Sequence, residues 1–404
     1  MANFHRINER LKSTNLSLRS LILGIIFLVL VVALWLIYQR INVFPLDDYL
    51  EYWASGRIIL TGGNPYDAGQ MLHIEQATGW PLTEALMMLN PPWVLPYTML
   101  LGLFSHPLSR FITFLVQIAI VCWCAVNLWK AYGGNKEKEW IAWLVVLTFG
   151  PILHAVKSGQ ITVLVLFGCV GFMILIHKKM DFWAGVVASF VLVKPQLLYL
   201  FILTLIIWSI TRRRYQVLLG ISASIIVFMA ITLIINPSVI SQYIVMVGEY
   251  PLNLWMTSTL GASLRLLIGE EKYYLQFIPA ILGVLWLGWY LYKTRKSFDW
   301  VKCLPLIILV SIVTTPYGWI TDYAVLVISV LPIAVLFVLQ GLPFGKVLVF
   351  STYWAANLMV IFLSTSQNWF WWLPSFLLIW YLLSNRYLTR ITTQAVKTNL
   401  TATP

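Results

Sequence analysis

LILGIIFLVLVVALWLIY, residues 21–38, runs for 18 positions without a charged side chain. A helix needs about 20 such residues to cross a hydrocarbon core about 30 Å thick. The run exceeds the roughly 7–15 apolar residues of a secretory signal, and no small-residue cleavage pattern follows it, so it is expected to remain as an anchor. LLYLFILTLIIWSI (197–210) has the same character. Of the 404 residues, 60% are apolar and only 10% charged, where a soluble domain would carry about a quarter charged residues. It would also break its apolar residues into helix or strand periods. The expectation is an all-α polytopic membrane protein with a single transmembrane domain over 1–404.

The four cysteines, Cys122, Cys124, Cys169 and Cys303, all lie in apolar segments. Cys122 and Cys124 are two residues apart on one helix and face different directions, so neither a disulfide framework nor a zinc site is expected. They read as small buried hydrophobes. The net charge of +12 comes from 27 Lys and Arg against 15 Asp and Glu. The basic residues fall in short clusters between apolar runs, KKM at 178–180, RRR at 212–214 and KTRK at 293–296 among them. Lys and Arg gather in this way on the cytoplasmic side of membrane proteins. Membrane lipids are the expected surroundings, and no nucleic-acid partner is expected.

Placing these clusters inside gives a cytoplasmic arm (1–19), a first span (20–39), a first extracytoplasmic loop (40–108) and a second (236–272). A cytoplasmic tail follows at 386–404. The stretch 91–105 is apolar, but crossing there would put the lysines of LWKAYGGNKEKEW (128–140) outside. It is short and contains Pro91, Pro92 and Pro96, as a re-entrant or interfacial segment would. The remaining spans are expected at about 109–130, 140–156, 160–177, 182–193, 196–210, 216–235, 273–292, 299–314, 321–340, 345–364 and 368–385. That makes about twelve, with 181–210 a hairpin broken at Lys194-Pro195. About 20 of the 27 basic residues then lie inside, and about 10 of the 15 acids outside.

Within the first outer loop, FPLDDYLEYW (44–53) sets Asp47, Asp48 and Glu51 among aromatic rings. Asp48, Tyr52, Ser55 and Ile59 recur at helical spacing, which predicts a short amphipathic helix over 47–60 capped by Asp47. It stops at Thr61-Gly62-Gly63, and Asn64-Pro65-Tyr66-Asp67 forms a turn. A capping aspartate and a solvated carboxylate explain these acids without any function. Against that stand Lys157, Lys194 and Arg265, basic residues on the side where bases are scarce. Ionisable groups near hydrocarbon are costly and tend to pair or to line a polar cavity. Snorkelling explains Lys157 and Lys194 equally simply, and His154 and Gln160 read as helix-end polar groups. A carboxylate opposite a basic, amide-rich pocket suits transfer from a lipid phosphate to a hydroxyl. The carboxylate would act as general base and the cations would stabilise the departing phosphate.

Six pieces in order, DYLEYW (48–53), GGNPYD (62–67), NPPW (90–93), SGQITVL (158–164), VKPQ (193–196) and TPYGWITDY (315–323), resemble glycosyltransferase family 87. Each is weak alone; together they are fairly specific. The resemblance implies a GT-C fold with juxtamembrane helices in the first outer loop. It also implies a multi-pass protein of a prokaryotic plasma (inner) membrane, with its active site on the extracytoplasmic face. The partners implied are a polyprenyl-phosphate sugar donor, with mannose the sugar expected, and a glycolipid or glycan acceptor. The family's catalytic aspartate corresponds to Asp48, which would deprotonate the acceptor for inverting transfer. Many members carry His where this chain has Tyr317, which leaves His154, Lys157, Lys194 and Arg265 as candidates for the phosphate. Tyr52, Tyr66, Gln160, Gln196 and Tyr317, with Asp47 beside Asp48, complete the substrate-binding candidates.

No cofactor is expected. Asp47, Asp48 and Glu51 come close to a divalent-ion set, yet the two aspartates project about 100° apart on a helix, and the motif demands no metal. Two other classes compete with this reading. A lipid-linked-glycan transporter or flippase would show an internal repeat and midplane charges, and neither is evident. An O-antigen ligase or polymerase would centre on a larger, arginine-rich late loop, where 236–272 offers only Arg265.

Overall fold

A computed structural model describes residues 29, 31–36, 44–250, 257–339, 344–362 and 370–401. The chain divides into two compact units, Met1–Pro45 and Leu46–Pro404. In the first unit residues 31–36 are helical; most of the expected first span lies outside the described residues. Everything below concerns the second unit, in which every described element is helical.

Helix α1 (Asp48–Leu60) starts where the sequence predicts, with Asp47 as its N-cap. Asp67 Oδ1 caps α2 (Ala68–Ala77) by accepting from the Gln70 N–H. The apolar stretch 91–105 becomes a 3-10 turn, Pro92–Val94, followed by α3 (Leu95–Gly102). Eight α-helical residues rise only about 12 Å, far short of a hydrocarbon core, so α3 does not cross. It lies against α1 with the two backbones nearly touching. A Cβ placed on Gly56 would fall 1.8 Å from the Thr98 carbonyl oxygen, and one on Gly102 would fall 2.5 Å from the Gly56 carbonyl carbon.

This contact changes the character of α1. The sequence predicts an amphipathic helix with one wet face, whereas only Arg57 and Leu60 are exposed. Tyr49, Trp53, Ala54 and Ile58 are buried as fully as Tyr52, Ser55 and Ile59. The physical reason is that α1 is covered on several sides: by α2, by α3 and by the strap carrying Met87 and Met88.

The apolar remainder comprises α4 (His106–Ala131), α5 (Trp140–Thr148), α6 (Gly150–Ser158), α7 (Thr162–His177), α8 (Asp181–Ala188), α9 (Tyr199–Thr211) and α10 (Tyr215–Ile235). After them come α11 (Val239–Glu249), α12 (Leu260–Ile268), α13 (Ile278–Thr294), α14 (Trp300–Thr314), α15 (Val327–Leu339), α16 (Phe344–Phe362) and α17 (Trp372–Thr401). Among the described residues four helical segments are long and apolar enough to cross a membrane: α4, α10, Tyr273–Thr294 and Ile320–Leu339. A fifth is a pair, Lys136–Thr148 with α6, bent by 61°. The expected number was about twelve. The difference arises because breaks shorten the other runs: Asp181–Val193 ends at Lys194-Pro195, and α7, α9 and α14 are each under 18 residues.

The bend between α5 and α6 has a local cause. Phe149 is extended (φ −73°, ψ 114°) and Pro151 follows at the start of α6, so the helical ladder is interrupted. The Asn357 side chain restores both lost bonds, accepting from the Gly150 N–H (2.7 Å) and donating to the Thr148 carbonyl (2.6 Å). Cys124, Cys169 and Cys303 are buried and Cys122 is half-buried, all as free thiols, as their apolar setting implies.

Candidate active site

The turn between α6 and α7 brings the two ends of the sequence motif together. Gly159 closes α6 in the left-handed region (φ 69°), and a Cβ there would meet the Tyr49 Cβ at 2.7 Å. Only glycine satisfies both demands. That close approach sets Gln160 against the first turn of α1. Gln160 Nε2 donates to Asp48 Oδ2 at 2.5 Å, and its Oε1 accepts from the Tyr52 hydroxyl at 2.6 Å.

Asp48, Glu51, Tyr52 and Gln160 form one wall of a cavity of about 610 Å³. Lys194, Pro195 and Gln196 form another, and Tyr243, Phe277, Pro316, Tyr317 and Trp319 the rest. Asn90 and Pro91 close the space beside Val193, where Asn90 Nδ2 donates to the Val193 carbonyl at 2.9 Å.

Lys194 is held from behind. Its Nζ lies 2.8 Å from Asp322 Oδ1, and both side chains are almost wholly buried. Asp322 Oδ1 also accepts from the Thr162 hydroxyl (2.6 Å), and Oδ2 accepts from the Trp319 N–H (3.0 Å). An ammonium has three donors, and Asp322 is the hydrogen-bond partner the described residues provide. Its remaining donors lie at the cavity lining, beside the Trp319 ring.

The acids of α1 sit where ionisation is costly. Burial, then the neighbouring Asp47 charge, raises Asp48 from the usual carboxylate range to about 7, with Lys194 acting in the opposite sense. Burial, followed by the Asp48 charge, raises Glu51 well above its usual value. A carboxyl near 7 is suited to taking up a proton at neutral pH. Tyr317 Oη is buried in the cavity wall with no hydrogen-bond partner among the described residues.

Of the residues singled out from sequence, Asp48, Tyr52, Gln160, Lys194, Gln196 and Tyr317 line this cavity. Asp47 spends its side chain on the Asp48 N–H (2.8 Å). Tyr66 is one layer back, donating to the Asn90 carbonyl (3.0 Å). His154 and Lys157 do not line the cavity: His154 Nε2 contacts the Val360 carbonyl (3.2 Å), and Lys157 is exposed. Arg265 is also off the cavity, bonded to Gln276 Oε1 (2.6 Å) and the Glu270 carbonyl. It reaches the wall indirectly, since Gln276 Nε2 donates to the Pro316 carbonyl (2.6 Å).

Three residues escaped the sequence reading. Glu51 enters the sequence reading only with Asp47 and Asp48 as a near divalent-ion set, although its i+3 spacing puts it on the face of Asp48. Asn90 hid in a proline-rich motif. Asp322 carried a signal: an acid and a base, each isolated in apolar sequence, are expected to find one another. Among the described residues no three His, Cys, Asp or Glu side chains gather as metal ligands would.

A family model, glycosyltransferase family 87, matches residues 89–343, well over half of the chain. The matched segment includes Asn90, Gln160, Lys194, Tyr317 and Asp322; α1 lies upstream of it. No curated protein and no solved structure matches the chain.

Proposed function

The chain belongs to glycosyltransferase family 87, and from that premise we propose that it transfers mannose from a polyprenyl-phosphate donor to a hydroxyl of a glycolipid or glycan. It is a membrane glycosyltransferase by family and composition. The reading adds a GT-C fold of about twelve spans, both termini cytoplasmic, and a cavity opening on the outer face of a prokaryotic inner membrane. The observation that carries it is one cavity with a proton-accepting carboxylate, Asp48, on one wall and a buried cation, Lys194, on another.

In this mechanism Asp48 takes the proton of the acceptor hydroxyl as its oxygen attacks the anomeric carbon from the face opposite the phosphate. The bond from that carbon to the phosphate oxygen breaks with its electron pair, and polyprenyl phosphate leaves. The configuration is inverted. Lys194 and the unpartnered Tyr317 hydroxyl offset the charge that grows on the phosphate. An apolar groove of about 530 Å³, with Trp93, Val94, Phe190 and Phe228 in its walls, shares Val193 with the cavity. That junction supports a substrate with a polar head and a hydrocarbon tail.

Purified protein in lipid, given a panel of polyprenyl-phospho-sugars and membrane acceptors, is expected to form a glycoside from the mannosyl donor. Asp48→Asn is expected to lower this by about 10²–10⁴-fold while the protein still inserts. Loss in Asp47→Asn with full activity in Asp48→Asn would assign the base to the wrong carboxylate. Transport of a labelled lipid-linked sugar without glycoside formation would overturn the reading in favour of a flippase.

A further inference from the structure

Gln160 has the most constrained side chain at the site, and its hydrogen bonds have a direction. Its Oε1 faces the Ile161 N–H at 3.0 Å as well as the Tyr52 hydroxyl. A backbone N–H can only donate, so the atom facing it must be the amide oxygen and not the nitrogen. The NH2 is therefore turned towards Asp48. The residue's own backbone is pinned too, its N–H bonded to the Ala155 carbonyl (2.8 Å) and its carbonyl accepting from Gln117 Nε2 (3.0 Å). Gln160 is itself only 4% exposed. The amide has neither room nor partners for a flip.

An amide NH2 can only donate, so Asp48 Oδ2 can only accept. A proton arriving at Asp48 is thereby directed to Oδ1, and the ionised carboxylate is favoured over the neutral acid. We propose that Gln160 is a positioning residue for the general base: it fixes which oxygen of Asp48 receives the acceptor's proton and keeps that base ionised while substrate binds. The inference rests on the role given to Asp48 above. The other charged groups around Asp48 are Asp47 and Glu51 on its own helix, and Lys194 and Asp322 from the elements packed opposite. Three of these four are acids that oppose ionisation, which is why a donor aimed at Oδ2 matters.

The test is a set of variants assayed across pH. Gln160→Ala removes the donor and is expected to lower kcat about 10- to 100-fold with KM for donor and acceptor unchanged. The acid limb of its rate profile should move to higher pH, because loss of a hydrogen bond to the charged form raises a carboxyl pKa. Gln160→Glu keeps the shape and the Tyr52 and Ile161 bonds but sets a second carboxylate against Asp48, and is expected to move the limb further in the same direction. In an Asp48→Asn background, Gln160→Ala should cost little more, since residues acting as a unit are not additive. An unmoved pH profile, a loss confined to KM, or the same fold-loss in both backgrounds would overturn the proposal. If Asp48→Asn is inactive while both Gln160 variants match the wild type, the proposal for Gln160 fails and the general-base reading survives. If Asp48→Asn is fully active, the general-base reading fails first.

Discussion

Two aspartates are tied to the cavity, Asp48 in its lining and Asp322 behind Lys194, and they are partnered very differently. Asp322 is saturated: the Lys194 ammonium, the Thr162 hydroxyl and the Trp319 N–H all fall on its two oxygens. Asp48 has the Gln160 amide on Oδ2 and two acids, Asp47 and Glu51, beside it on its own helix. A carboxylate whose two oxygens already take three donors, one of them an ammonium, has its hydrogen-bonding capacity largely occupied. One that is buried beside other acids is poised to accept a proton. The contrast separates an aspartate occupied as a counter-ion from the one proposed as the base, although both are single aspartates in apolar surroundings.

The largest test of this contrast is at Asp48. Asp48→Asn should lower kcat by about 10²–10⁴-fold, the usual contribution of a general base, with the melting temperature unchanged or raised because a buried acid is removed. In the wild type, kcat/KM should rise with pH through about 7 and level off above it, following the raised Asp48 group of the free protein. A profile flat from pH 5 to 9 would break the comparison.

Asp322 should answer in the opposite currency. Asp322→Ala leaves the Lys194 ammonium buried without its counter-ion and should cost about 3–5 kcal/mol of stability, read as a large fall in melting temperature. Replacing both partners, Lys194→Met with Asp322→Leu, should recover most of that stability. Donor binding should be lost in the double variant, because the cation proposed to face the phosphate is gone. Recovery of both would show that Lys194 serves only the fold.

Glu75 offers the smallest effect: it does not line the cavity, although its charge reaches Glu51, which does. Its carboxyl is fully buried on α2, with Oε2 accepting from the Leu86 N–H (3.0 Å), and burial raises it to about 7. A carboxyl raised in the folded state binds more protons folded than unfolded. Stability should therefore fall as pH rises from about 4.5 to about 7 and be level above. Glu75→Gln should flatten the melting temperature over that window and, because its charge also bears on Glu51, move the pH profile of kcat/KM less than Gln160→Ala does. A shift as large as that of Gln160→Ala would tie Glu75 to the active site.

Much of this was legible in sequence because it depends on local physics. Charge-free runs, the Asp47 cap, the turn at Asn64–Asp67 and the prolines that keep 91–105 from crossing are all written within a few residues. Arg265, Lys157 and His154 show the limit. A rare base or a histidine on the expected outer side is visible in sequence, but whether it faces a cavity depends on elements far along the chain. Arg265 turns to Gln276, and His154 to Val360, because those groups arrive there by tertiary packing. The wet face predicted for α1 failed for the same reason. Periodicity describes one helix, and the Gly56–Gly102 contact brings in another.

The sequence by itself determined a helical membrane protein, the start of α1 and the family's scattered motif, since hydrophobic length, capping and residue order are properties of contiguous chain. Only the tertiary structure decided which acid is saturated and which is not. Asp48 and Gln160 stand 112 residues apart and Lys194 and Asp322 128, and no local rule connects them. What couples each pair is the free energy of leaving a buried charge or amide unpaired, which packing alone can satisfy.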